Sequence, residues 1–205
     1  MIPAMAPSEG AAYALSMVAD AEPGRAFSPP DPQLTDGRIC LRPWAAKDEP
    51  AVFEACQDPD IQRWVPIPVP YLREHAHDLV RMAEEGWARA SHGSLAIADA
   101  SSDRLLGAIG LSPIDEHRAS VGYWVAPAER GRGVAPDAVR LLGRWALRRF
   151  GLRRLELYHF VGNDASGRVA QKVGFRREGI LRAYAVVRSE PRDCVIYSLL
   201  ASDID

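Results

Sequence analysis

Val121-Gly122-Tyr123-Trp124-Val125, then Arg130-Gly131-Arg132-Gly133-Val134-Ala135, then an amphipathic stretch running to Phe150: this succession decides the fold. It reads as strand, glycine-rich turn, helix. Glycine lets the backbone curl tightly and lets a ligand approach closely. The free N–H groups of the first helical turn then point into the turn, at the positive end of the helix dipole. A pyrophosphate fits such a place; an ordinary strand-to-helix turn can also carry glycine. The turn has no Gly-Lys-Ser/Thr, so it is not a nucleoside-triphosphate P-loop. It lacks the third glycine of the dinucleotide fingerprint and the acidic strand end expected after it.

Outward from the turn, Arg130, Gly133 and Ala135 satisfy the pattern Gln/Arg-x-x-Gly-x-Gly/Ala. Asn163-Asp164-Ala165-Ser166 follows further on, and Arg168-Val169-Ala170-Gln171-Lys172-Val173-Gly174-Phe175 after it. Together these resemble the GCN5-related N-acetyltransferase (GNAT) superfamily, and within it the branch of the ribosomal-protein N-terminal acetyltransferases. The resemblance spans roughly residues 36–201. It implies an α/β (α+β) fold: a mixed, mostly antiparallel twisted sheet of about six or seven strands with about four helices, splayed between strands four and five. It also implies acetyl-CoA as co-substrate, and acetyl transfer to a primary amine by direct attack in a ternary complex.

The resemblance, taken with the chemistry of thioester aminolysis, distributes roles over this chain. Arg130, Gly131, Arg132, Gly133, Val134 and Ala135 hold the phosphates, mainly through backbone N–H groups forming a nest. Arg130 or Arg132 can add a charged contact or remain a solvated charge. A backbone N–H near Val125 polarises the thioester carbonyl, while Tyr123 and Trp124 are read as packing residues. Asn163 bonds the pantetheine arm, and asparagine is equally a good helix N-cap. Ser166 donates to the departing thiolate, or satisfies an orphan N–H of the first helical turn. The base is the weak point: many members of the branch carry a glutamate where this chain has Ser120. Asp115 and Glu116 lie ahead of that strand. His159 is the alternative base, or a packed strand residue; an already neutral amine with water as relay needs neither. Tyr184 lines the acceptor pocket, acts as an acid, or packs at the surface.

The same pattern reading gives the rest of the organisation. Residues 1–34 read as a largely irregular extension, with a short helix over Ala11–Val18 and prolines elsewhere. Residues 35–205 form a single domain. Strands are expected at Arg38–Arg42, Ser94–Ala98, Leu105–Leu111, Ala119–Val125, Leu155–His159, Phe175–Leu181 and Asp193–Leu200. Helices are expected at Lys47–Gln57, Leu72–Ala90, Val134–Phe150 and Asp164–Val173, the third with Ala138, Leu141, Leu142 and Trp145 as its core stripe. Asp58–Tyr71 is expected to be a loop, because of its prolines. By the resemblance it shapes the acceptor side, with Trp64 and Tyr71 as walls and Asp58 and Asp60 attracting a cationic amine.

Composition narrows the alternatives. The chain has 205 residues, enough for one domain with a real core, with 47% hydrophobic and 25% charged residues. A net charge of −2 supplies no global field for nucleic acid. Arg144, Arg148, Arg149, Arg153 and Arg154 form only a local patch, which keeps an RNA-directed acetyltransferase as a third reading. Cys40, Cys56 and Cys194 are scattered, which points to free thiols in a reducing cytoplasm. His75 and His77 do not share a helix face, and His92 and His117 lack partner ligands, so no metal is expected. No apolar run is long enough to span a membrane, and the N-terminus is a poor signal peptide. The main rival is a non-catalytic acyl-CoA-binding module, supported by Ser120; a transferase for a longer acyl group is a variant. Homodimers are common in the branch, and the last strand or the extension could mediate one here.

Overall fold

The computed structural model describes residues 27–204. The expected Ala11–Val18 helix lies outside them. In chain order the elements are β1 (Leu34–Thr35), β2 (Ile39–Arg42), α1 (Glu49–Ala55), α2 (Pro59–Trp64), α3 (Arg73–Ala88), β3 (Gly93–Asp99), β4 (Leu105–Asp115), β5 (Arg118–Val125), α4 (Val134–Phe150), β6 (Arg154–Phe160), α5 (Asp164–Val173), β7 (Arg176–Val187) and β8 (Glu190–Leu200). The strands form one 8-stranded sheet in the order β1-β2-β3-β4-β5-β6-β8-β7. Neighbours run antiparallel except β5 and β6, which are parallel.

That parallel pair is short. Arg118 lies opposite Arg154, Ala119 opposite Leu155 and Ser120 opposite Glu156, and pairing stops there. Beyond it β5 stays on β4 as far as Val125, while β6 stays on β8 as far as Phe160. The sheet therefore forks where the resemblance implies, between the fourth and fifth strands counted from β2.

One sheet face buries Ile39, Leu41, Leu95, Ile97, Ile109, Leu111, Val121, Leu155 and Leu157 beneath α4. The helix contributes Val134, Ala138, Val139, Leu142 and Ala146, an i, i+4, i+5 recurrence that makes one apolar stripe. Leu141 and Trp145, expected in that stripe, are only partly buried along its border. On the other face Ala96, Ala108 and Trp124 pack against Val52 and Cys56 of the α1 segment and Ala76 of α3. Phe27, in the expected extension, stacks into the first core, 4.8 Å from Trp87 and 5.1 Å from Phe150 between ring centroids.

Three expectations need correction. The strand count rises to 8 because Leu34 and Thr35 fold back on Leu41 and Cys40 as β1. The segment Asp58–Tyr71 is not loop throughout, since α2 occupies Pro59–Trp64 and makes a fifth α-helix. Pro59 stands in the first turn, where its missing N–H costs nothing. Asp58 Oδ1 caps that turn by accepting from the Ile61 N–H at 2.9 Å, and extended Val65 before Pro66 ends it. Finally, β7 and β8 run further toward their shared turn than expected. Arg188 and Ser189 make that turn with φ of 51° and 66°, a pair of positive dihedrals that sequence reading assigns to glycine or asparagine.

Candidate active site

The fork opens into a cleft of about 1240 Å³. Its walls come from the end of β5, the turn into α4, the end of β6, the start of α5, helix α2 and the C-terminal part of β7.

The turn is built by conformation. Gly131 and Gly133 have φ of +77° and +82°, in the left-handed region that costs other residues about 1–2 kcal/mol. Gly133 is the N-cap of α4 and offers no side chain for capping. The backbone N–H groups of residues 131–135 find no acceptor among the described residues, and Pro136 has none to offer. A Cβ on Gly131 would meet nothing within 4 Å, and one on Gly133 would come no nearer than 3.6 Å, to Asp137. The glycines thus leave open a cradle of unpaired donors at a helix N-terminus, which suits a diphosphate.

The arginines of the turn are engaged elsewhere. Arg130 reaches Asp58 Oδ1 at 2.5 Å and Asp60 Oδ2 at 3.4 Å, tying the turn to the first turn of α2. Burial pushes the Asp58 carboxyl up, but Arg130 and the Ile61 N–H outweigh it and hold it below its ordinary value. Arg132 lies 3.4 Å from Glu129, whose other oxygen takes Arg104 at 2.7 Å. Arg38, which the sequence reading did not single out, donates to the Arg132 carbonyl and to Asp137, both at 2.9 Å, and so braces the turn from β2.

Ladder alternation orients the β5 backbone. Ala126 N–H bonds the Leu106 carbonyl at 2.8 Å, so Leu106 and Ala126 form a hydrogen-bonded pair. Gly107–Val125 is next in register and must be a non-hydrogen-bonded pair, as is Ile109–Tyr123. The N–H groups of Tyr123 and Val125 therefore turn away from β4 and into the fork.

Across the fork, Asn163 caps α5. Its carbonyl accepts from the Ser166 N–H at 3.1 Å and its side-chain oxygen from the same N–H at 3.4 Å. Its amide nitrogen is not used by the cap. With that N–H satisfied by Asn163, the Ser166 Oγ spans the fork to the Tyr123 hydroxyl at 3.0 Å. Burial pushes the Tyr123 phenol up to about 12, against the opposing pull of Ser166.

His159 is buried on β6, with Nδ1 2.9 Å from the Phe160 carbonyl. A carbonyl accepts only, so Nδ1 carries the hydrogen of that bond. Nε2 is fully buried and has no partner among the described residues. It faces Gly167, where an added Cβ would stand 3.0 Å from Nε2 and 2.9 Å from the Tyr197 hydroxyl.

Ser120 lines the cleft with no carboxylate of its own. The residue opposite it, Glu156, is buried, and its Oε1 takes Arg154 Nε at 2.9 Å and Arg118 at 3.6 Å. Asp115 is likewise bound to Arg118, at 2.6 Å. On the opposite wall of the cleft Trp64 packs beside Phe160 and Val187, and Tyr184 meets Tyr158 edge-on at 5.4 Å. Tyr71 is buried among the α1–α3 residues, away from the cleft. No group of three or more His, Cys, Asp or Glu is placed to hold a metal among the described residues.

The acetyltransferase (GNAT) domain family matches residues 38–176. YoaA of Bacillus subtilis (strain 168), an uncharacterized N-acetyltransferase, is 25% identical over 171 residues, 82% of this chain and 97% of the relative. A GCN5-related N-acetyltransferase of Brucella melitensis superposes with a TM-score of 0.73 at 25% identity, covering 86% of this chain and 81% of that one. RimL, a ribosomal L7/L12 alpha-N-protein acetyltransferase solved with coenzyme A, superposes with a TM-score of 0.72 at 20% identity, covering 84% and 98%. The chain belongs to the acetyltransferase (GNAT) family and is an acetyl-CoA-dependent acyltransferase.

Proposed function

We propose that the protein moves an acetyl group from acetyl-CoA to a primary amine, either a protein N-terminus or a small-molecule amine, by direct attack within a ternary complex. The observation that carries this reading is the run of unpaired N–H groups at residues 131–135 beside a fork that exposes the β5 backbone. Acetyl-CoA supplies an activated thioester. The backbone of Gly131, Arg132, Gly133, Val134 and Ala135 holds its phosphates, while Arg130 and Arg38 brace the turn through Asp58, Asp60 and Asp137. Asn163 has its amide nitrogen free for the pantetheine arm. The Val125 N–H, fixed and pointed into the fork, stabilises negative charge on the carbonyl oxygen. Ser166 Oγ–H supports the sulfur as the C–S bond breaks.

The amine must also lose a proton. His159 lines the cleft, and its Nε2, buried against Gly167 without a partner among the described residues, takes that proton through a water. Glu156 and Asp115 are bound to arginines and exposed Glu116 pairs with His117, so none of them is given this role. His159→Asn should therefore lower kcat while leaving the KM for acetyl-CoA little changed. An unchanged kcat would transfer the role to an amine already neutral when it binds. The three cysteines are free thiols, which suits a reducing, cytoplasmic setting.

The test is a panel of peptides with free N-termini and of small amines, scored by thiol release from acetyl-CoA. Release that saturates with one class supports the proposal and names the acceptor class. A non-catalytic acyl-CoA-binding module, the reading Ser120 favours, would bind acetyl-CoA saturably and release no thiol with any of them.

A further inference from the structure

The Tyr123–Ser166 contact joins the two arms of the fork. Tyr123 stands on β5, Ser166 in the first turn of α5, and both line the cleft. Neither hydroxyl has another hydrogen-bond partner among the described residues. A phenol is a far stronger acid than an aliphatic alcohol, so in a bond between the two the phenol is the better donor. Burial reinforces that assignment by keeping the Tyr123 proton in place well into alkaline pH. The serine oxygen then receives a hydrogen from Tyr123, and its own hydrogen must rotate elsewhere. Ser166 lines the cleft, so a hydrogen turned away from the phenol has the cleft open to it. A lone serine rotor would spread over three wells.

We propose that Tyr123 is a positioning residue: its hydroxyl donates to Ser166 Oγ and thereby aims the Ser166 hydrogen into the cleft, where it stabilises a thiolate. No proton leaves Tyr123 in this account; it acts only through Ser166. The inference rests on Ser166 facing the sulfur of coenzyme A, and the experiment separates the two claims.

The probe is free coenzyme A, which needs no knowledge of the acceptor. A hydrogen bond to the charged sulfur lowers the pKa of the bound thiol, and the thiolate is read from its ultraviolet absorbance as pH is varied. With coenzyme A saturating, Ser166→Ala should reduce the thiolate fraction at a pH below the thiol pKa by about tenfold, the usual worth of one hydrogen bond to a charged group. Tyr123→Phe, which keeps the ring and its packing, should reduce it by a smaller factor, roughly threefold, as the serine rotor is freed but retained. In the Ser166→Ala background, Tyr123→Phe should then change nothing. A loss in Ser166→Ala with none in Tyr123→Phe overturns the positioning role and leaves the serine role standing. Equal, additive losses in both backgrounds mean that Tyr123 acts on the sulfur directly, which also overturns it. No change in Ser166→Ala removes the serine role and the proposal with it. Melting temperatures of both variants, measured alongside, show whether either substitution disturbs the fold.

Discussion

The two sides of the cleft are built in different ways. The side proposed for the cofactor, from Gly131 to the start of α4, is made by backbone: two positive-φ glycines, a helix N-terminus and a row of N–H groups unpaired among the described residues. The side proposed for the acceptor is made by side chains converging from α2, β6 and β7: Trp64, Tyr158, Tyr184 and Val186. Backbone sites are local in sequence, because the same few residues set both the conformation and the donors. Side-chain sites depend on which distant elements the topology brings together. One substitution should therefore destroy the first kind of site, whereas the second should respond by degrees.

Gly133→Glu is expected to have the largest effect. It forces a side chain into φ of +82° and adds a carboxylate to the anion cradle. Acetyl-CoA affinity should fall by roughly two orders of magnitude or more while the far-ultraviolet spectrum is retained, since α4 keeps its stripe and its Gly151 end. Calorimetric titration reads it. Binding weakened by less than about threefold would mean that the phosphates sit elsewhere.

Ser166→Ala comes next and belongs to the chemistry, not to binding. Its kcat should drop by about 10²-fold, with the KM for acetyl-CoA little changed. A change confined to KM would make Ser166 a binding group.

Gly167→Ala sharpens the contrast from within the fold. The new methyl group would stand 2.9 Å from the Tyr197 hydroxyl and 3.0 Å from His159 Nε2, both buried. Overpacking of this kind costs about 1–3 kcal/mol, read by denaturant unfolding. A neutral outcome would show that His159 and Tyr197 can withdraw, and that the space around Nε2 is not fixed.

On the acceptor side, Tyr184→Phe and Trp64→Ala should raise the KM for the amine by several-fold at most, leaving the KM for acetyl-CoA unaltered. The smallest effect is expected from Asp58→Ala, which removes the α2 cap and one partner of Arg130. It should cost about 1 kcal/mol of stability, visible in urea unfolding.

This contrast also sets what was legible in the sequence. Helix α4 falls at Val134–Phe150 and α5 at Asp164–Val173, as expected, because glycine or asparagine marks their ends and a 3.6-residue stripe fills them. The fork was readable through family resemblance, since nothing local says that β5 and β6 part after Ser120. Helix α2 was hidden by its prolines, one of which is placed where a helix tolerates it. Arg130 was legible as a cation near a phosphate turn. Its engagement by Asp58 and Asp60 was not, because those carboxylates lie more than sixty residues away in the chain. Tyr123 read as a packing residue for the same reason: its partner Ser166 is 43 residues on, across the fork.

The most direct test of the account is thermal unfolding with and without acetyl-CoA, in wild type and in Gly133→Glu. At roughly 100 times its dissociation constant, acetyl-CoA should stabilise the wild type by about 2.7 kcal/mol and leave the folded variant where it was. Equal stabilisation of both proteins, or of neither, would contradict a phosphate site built from the backbone of residues 131–135.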